Sequence, residues 1–203
     1  MQITLIEKNK KNKERYSVYI DDQFSFSISE DDYLSMHLYE KSELSQDEID
    51  HIKNTMNFRD AKNSALKYLS YKLRTEKEVR SKLQEDGFDG DSIEMAIEEL
   101  NALGYINNKI YVQKYVFDRS KLKPKSKKLI KLELLSKGIQ EEIVDEVLND
   151  WNVDEKSVAE GLVKRKFGKY DFKDDAIKRK AYMFLHHRGY SHEVIESVIG
   201  RIE

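Results

Sequence analysis

Histidines stand at His37, His51, His186, His187 and His192, and none falls in an H-E-x-x-H pattern or any other metal-ligand spacing. His186 and His187 sit at a basic helix end, where a histidine complements the helix dipole. The chain has no cysteine, which excludes a disulfide framework, a thiolate metal site and a cysteine nucleophile. It has no phosphate-cradling glycine loop and no G-x-S-x-G. Carboxylate pairs such as Glu98-Glu99 and Glu141-Glu142 lie on polar helix faces. This points to a protein without catalytic residues, metal or cofactor, and not to an enzyme.

Cationic clusters are the remaining candidates. One runs Arg119, Lys121, Lys123, Lys125, Lys127, Lys128, Lys131, with Pro124 marking a linker and the first turn of a helix. A second is Lys164, Arg165, Lys166. A third is Lys178, Arg179, Lys180, one repeat after Lys127, Lys128 and Lys131. Such stripes suit phosphates or an acidic protein groove, and they equally suit a solvated helix face. Tyr105, Tyr111, Tyr115 and Phe117 interleave with lysines and could stack bases. Their spacing favours core positions. Tyr68 and Tyr71 pose the same choice.

The elements that must position these groups come from 203 residues, with 36 basic and 38 acidic side chains and one proline. The net charge of −2 hides alternating blocks. Residues 75–106 carry −6, 107–137 carry +8, 138–160 carry −7 and 161–188 carry +6. No apolar run approaches the roughly 20 residues of a membrane span and no signal peptide is evident, so a cytoplasmic setting is expected.

Gly87, Gly138 and Gly189 are 51 residues apart. Each is followed by a bulky apolar residue (Phe88, Ile139, Tyr190) and preceded four positions earlier by a leucine (Leu83, Leu134, Leu185). Those offsets are what a Schellman motif needs: glycine at C′, and an apolar C″ folding back on C3. Gly104-Tyr105 repeats the pattern with Leu100. Downstream, Ile93 and Ile97 match Val144 and Leu148, then Ile195 and Ile199, while Leu100 matches Trp151 and Ile202. Thr75 with Glu78 and Ser45 with Glu48 read as capping boxes, and Asp91 with Glu94 as a weaker helix start. A helix from Ser45 carries Ile49, Ile52 and Met56, and a further one covers Arg59 to Leu73.

The first 30 residues alternate as strands: Tyr16, Val18, Ile20, then Phe24, Phe26, Ile28, with Asp21-Asp22-Gln23 as turn and Ile3 to Glu7 as a third strand. The expected fold is mainly α: tandem three-helix repeats of about 51 residues in an elongated array, with a small N-terminal β-hairpin or three-stranded meander. The expected divisions are a β element (1–30), a degenerate helical repeat (31–73), three-helix repeats at 74–122 and 123–172, and a truncated repeat (173–203). A compact globule of this length has a radius of gyration near about 17 Å. Small-angle scattering is expected to give a clearly larger value. A compact profile would refute the elongated array.

These segments resemble the RecX family of bacterial recombination regulators. The resemblance rests on Arg74-Thr75, Glu78-Val79, Leu83, Gly87-Phe88; on Gly104-Tyr105-Ile106-Asn107, Tyr111-Val112, Tyr115-Val116 and Arg119; and on Leu129 to Ile139. It continues through Lys164-Arg165-Lys166-Phe167-Gly168, Phe184-Leu185 and Arg188-Gly189-Tyr190-Ser191. Asn107-Asn108-Lys109 departs from the acidic turn the family tends to carry, and Ser126 stands where glycine is common. The resemblance implies a protein that binds the RecA recombinase and its nucleoprotein filament; the chain itself is expected to be monomeric. It implies modulation, usually inhibition, of strand exchange, ATP hydrolysis and coprotease activity. Some family members also bind DNA. The alternative reading is a module for single- or double-stranded DNA, with the basic clusters of helix-turn-helix-like three-helix units on phosphates.

Overall fold

The computed structural model describes residues 1–201, so Ile202 lies outside the described residues. The chain forms two compact units, residues 1–107 and residues 108 onward.

The first unit opens with an antiparallel sheet of β1 (Ile3–Lys8), β2 (Arg15–Ile20) and β3 (Gln23–Ser29), in that spatial order. Ile20 pairs with Gln23, so the hairpin loop is Asp21-Asp22 alone. Both residues have positive φ, 49° and 63°, as a primed two-residue turn requires. The alternation read from the sequence holds for Val18, Ile20, Phe26 and Ile28, all buried. It fails at Phe24, which is half exposed. Val18 pairs with Phe26 but Tyr19 with Phe24, so one extra residue bulges between them and shifts Phe24 out of the alternation. There Phe24 meets Tyr19 edge-on, at 5.8 Å between centroids.

A short helix α1 (Glu30–Ser35) and a single 3-10 turn (Leu38–Glu40) cover the sheet. The region after Ser45 differs from the two helices expected. Here α2 (Gln46–His51) runs through a π-helical turn (Ile52–Asn57) straight into α3 (Phe58–Leu69). The capping box at Ser45 and Glu48 is present. Hydrogen bonds from Lys41 and the Ser45 backbone hold the Glu48 carboxyl at about 2, well below the usual range. Helix α3 stops at Leu69, short of the Leu73 read from the sequence.

Helices α4 (Glu76–Glu85) and α5 (Gly90–Ala102) follow. Thr75 and Glu78 form the expected capping box. The start of α5 is two residues earlier than Asp91: Asp89 is the cap and accepts from the Ser92 amide at 2.9 Å. Glu94 instead pairs with Arg80 of α4.

The second unit contains α6 (Asn108–Lys121), α7 (Lys127–Ser136), α8 (Glu141–Asp150), α9 (Glu155–Phe167), α10 (Asp175–His186) and α11 (His192–Ile199). The apolar clusters gather helices in threes: α3–α5 around Ala65, Leu83 and Ile97; α6–α8 around Val116, Leu134 and Val144; α9–α11 around Val163, Leu185 and Ile195. The period matches the sequence reading, but the grouping begins one helix earlier. Cap signals mark where a helix ends. They do not mark which three helices share a core.

Four glycines have the left-handed conformation that the caps require: Gly87 (φ 83°), Gly104 (76°), Gly138 (79°) and Gly189 (81°). In each motif the C″ amide returns to the C3 carbonyl, as from Phe88 to Leu83 at 3.2 Å and Tyr190 to Leu185 at 3.3 Å. Tyr105 to Leu100 and Ile139 to Leu134 complete the set. Among the described residues no helix is long and apolar enough to cross a membrane.

Candidate interaction surface

The two basic helix ends have different fates. In the α6–α7 stretch most cations are consumed within the fold. Arg119 donates to the Tyr115 hydroxyl at 3.0 Å and lies over its ring, while Tyr115 donates to Glu133 at 2.7 Å. Lys125 also pairs with Glu133. Burial pushes the Glu133 carboxyl up, but these donors outweigh it and hold it below the usual carboxylate range.

Lys127 reaches the Leu148 carbonyl at 3.0 Å, at the end of α8, and lies 5.9 Å from the Trp151 ring. Lys131 pairs with Glu141 at 2.6 Å and Asp145 at 2.7 Å, binding α7 to α8. Hydrogen bonds to both carboxylates raise its pKa. Lys121, Lys123 and Lys128 are exposed, and no carboxylate among the described residues pairs with them. The α7 start is fixed by Ser126, which accepts from the Leu129 amide and donates to the Gly189 carbonyl at 2.7 Å. A glycine at this position would supply neither bond.

The aromatics divide as well. Tyr111 and Tyr115 are half-buried and stack on each other, as core residues would. Tyr105 (56% exposed) and Phe117 (57%) do not join the core. Lys114 and Lys121 approach the Phe117 ring at 5.6 and 5.9 Å. Tyr68 lies under Arg74 at 4.0 Å, and Tyr71 is exposed.

In the third three-helix domain the cations are less committed. Lys164 pairs with Glu160 at 2.7 Å on its own helix, and Arg165 is exposed. Lys178 is half-buried. Arg179 and Lys180 are exposed and line a hollow together with Lys166. Sequence reasoning missed Arg188 and the residues under it as parts of this surface. The helical spacing of Arg179, Met183, Phe184 and Arg188 was the available signal. Among the described residues no group of three acidic, histidine or cysteine side chains is arranged to hold a metal ion.

Comparison with known proteins follows the same domain grouping. The description "Regulatory protein RecX N-terminal domain" matches residues 1–45. The first, second and third RecX three-helix domains match 61–100, 107–148 and 154–199. The chain belongs to the RecX family. The regulatory protein RecX of Clostridium beijerinckii is 35% identical over 99% of this chain and 95% of its own length. That of Clostridium perfringens strain SM101 is 32% identical over 99% and 96%. A crystal structure of regulatory protein RecX superimposes with a TM-score of 0.65 at 25% identity, covering 98% of both chains. RecX from Lactobacillus salivarius gives 0.59 at 32% identity, over 72% of this chain and 96% of the other. Each three-helix match falls on helices that share one RecX core: α3–α5, α6–α8 and α9–α11.

Proposed function

We infer that this RecX protein binds the RecA recombinase and its nucleoprotein filament and restrains strand exchange, ATP hydrolysis and coprotease activity. The observation that carries the reading is the ordered run of four RecX domains along the chain. Physically, tandem domains with cationic patches suit a repeating partner. Modest contacts to successive protomers add as avidity without any one being strong.

The candidate contacts are the uncommitted cations: Lys121, Lys123 and Lys128 in the second domain, and Arg165, Lys166, Arg179 and Lys180 in the third. Lys127 and Lys131 are poor test sites, since their reversal also removes α7–α8 bonds. Reversing Lys121, Lys123 and Lys128 to glutamate is expected to weaken filament inhibition while leaving helical content unchanged. Inhibition equal to wild type would place the interaction elsewhere.

A second reading, direct DNA contact, is favoured by exposed Phe117 between Lys114 and Lys121. It predicts that log affinity for bare single-stranded DNA falls against log salt by about 0.7 per phosphate contact. The triple reversal should then flatten that slope. Weak bare-DNA binding that the reversal does not change would leave the recombinase as the partner.

A further inference from the structure

We propose that a hollow in the third three-helix domain is a docking site for an acidic peptide segment carrying a bulky apolar side chain. This rests on the reading that the chain acts by docking on another protein. The hollow has a volume of about 670 Å³ and lies between the end of α9 and one face of α10. Its apolar lining is Phe167, Ala176, Met183 and Phe184. Lys166, Arg179, Lys180 and Arg188 also line it, with His187, and among the described residues no carboxylate does.

Two observations set the chemistry of the occupant. The first is charge. In the same unit Lys131 is neutralised by Glu141 and Asp145. Among the described residues no carboxylate pairs with Lys166, Arg179, Lys180 or Arg188. Four like charges around one hollow repel each other, and an anionic occupant relieves that repulsion.

The second is the state of the aromatic lining. The Lys166 ammonium lies 4.1 Å from the Phe184 ring centroid and the Arg188 guanidinium 3.9 Å from it. Phe167 meets the same ring edge-on at 5.6 Å. The ring is thus engaged by protein groups and is not free to stack a nucleobase. Met183 remains 44% exposed at the hollow, a flexible thioether that adapts to an inserted side chain. Carboxylates at the rim and one apolar side chain inside match this surface better than a phosphate backbone with stacked bases.

The test uses the full chain and a labelled peptide of aspartates and glutamates around a single phenylalanine, read by fluorescence anisotropy. Saturable binding that weakens with added salt is expected. The same peptide with serine for phenylalanine should bind about tenfold more weakly or worse, because it loses the burial of one large apolar side chain. R179E/K180E should also lose about tenfold or more, the cost of two reversed contacts. K72E, at an exposed lysine of the first unit, should bind as wild type. If the double variant loses helicity, M183Q supplies the second substitution and should weaken only the phenylalanine peptide.

Equal binding of the phenylalanine and serine peptides would overturn the proposal, leaving a diffuse charged surface. So would wild-type binding by R179E/K180E. Displacement of the peptide by oligothymidylate at lower concentration would also overturn it and make the hollow a nucleic-acid site. No recombinase is present in this assay. A negative result therefore leaves the filament reading standing, and a failed filament assay leaves this result standing.

Discussion

G189A is expected to destabilise the second unit by about 2–5 kcal/mol, the sum of a left-handed backbone penalty and steric overlap. Gly189 has a φ of 81°. A Cβ there would lie 2.6 Å from the Leu129 Cβ and 2.6 Å from the Ser126 Oγ. Neither neighbour can yield cheaply. Leu129 is in the first turn of α7, and Ser126 is its N-cap. The turn at Gly189 is also where the second and third domains join: the Ser126 amide donates to the Arg188 carbonyl at 3.0 Å, and its hydroxyl to the Gly189 carbonyl. G104A is the control. Gly104 has nearly the same φ, 76°, but nothing lies within 4 Å of its Cβ position. It should cost only about 1–2 kcal/mol, the backbone penalty alone. Denaturant midpoints measure both. Equal losses for the two variants would show that the packing at Gly189 is not tight.

R15M is expected to cost the first unit about 3 kcal/mol or more, the range for breaking a buried, hydrogen-bonded charge. Arg15 begins β2 and is 4% exposed. It donates to the Ser27 carbonyl at 3.2 Å and to the Asn57 Oδ1 at 2.9 Å. Its guanidinium lies 4.1 Å from the Phe88 ring centroid, and Asp60 is 3.9 Å away. Burial lowers its pKa, and Asp60 and Asp89 oppose that. Asn57 passes the connection on, donating to Asp89 at 3.3 Å, and Asp89 caps α5. One guanidinium thus ties the sheet, the π-turn and the first three-helix domain together. Methionine fills a similar volume but leaves Asn57 and Ser27 short of a donor. R15K should not rescue, because an ammonium cannot reproduce the planar fork. A loss under about 0.5 kcal/mol, the range of an ordinary surface change, would show that the network does not hold the unit.

How far the fold was legible depended on which physical rule each feature obeys. The four glycine caps were readable because a left-handed residue excludes most side chains and an apolar C″ must meet C3. The capping boxes at Ser45 and Thr75 were readable for a similar reason. The π-turn at 52–57 was not, because one extra residue within a helix alters hydrogen bonding and not composition. Its effect is specific all the same: it ends at Asn57, a buried polar residue that Arg15 satisfies. The bulge that expels Phe24 was hidden because strand alternation continues unbroken in the sequence.

The candidate surface was legible as charge but not as availability. Lys125, Lys127 and Lys131 look alike in sequence to Lys123 and Lys128. Glu133, the Leu148 carbonyl and Asp145 separate them, and those partners come from packing α7 on its neighbours. Ser126, where the resemblance led to an expectation of glycine, proves to be a cap and an interdomain donor.

Filament binding is the proposed route by which this chain regulates the recombinase. The direct measurement is titration of the chain into a RecA–single-stranded DNA filament with ATP, following bound protein and strand exchange together. Saturable binding to the filament, weak binding to the same DNA without RecA, and strand exchange falling as sites fill is the predicted result. Strand exchange unchanged at saturation, or binding that is the same with and without RecA, would contradict it.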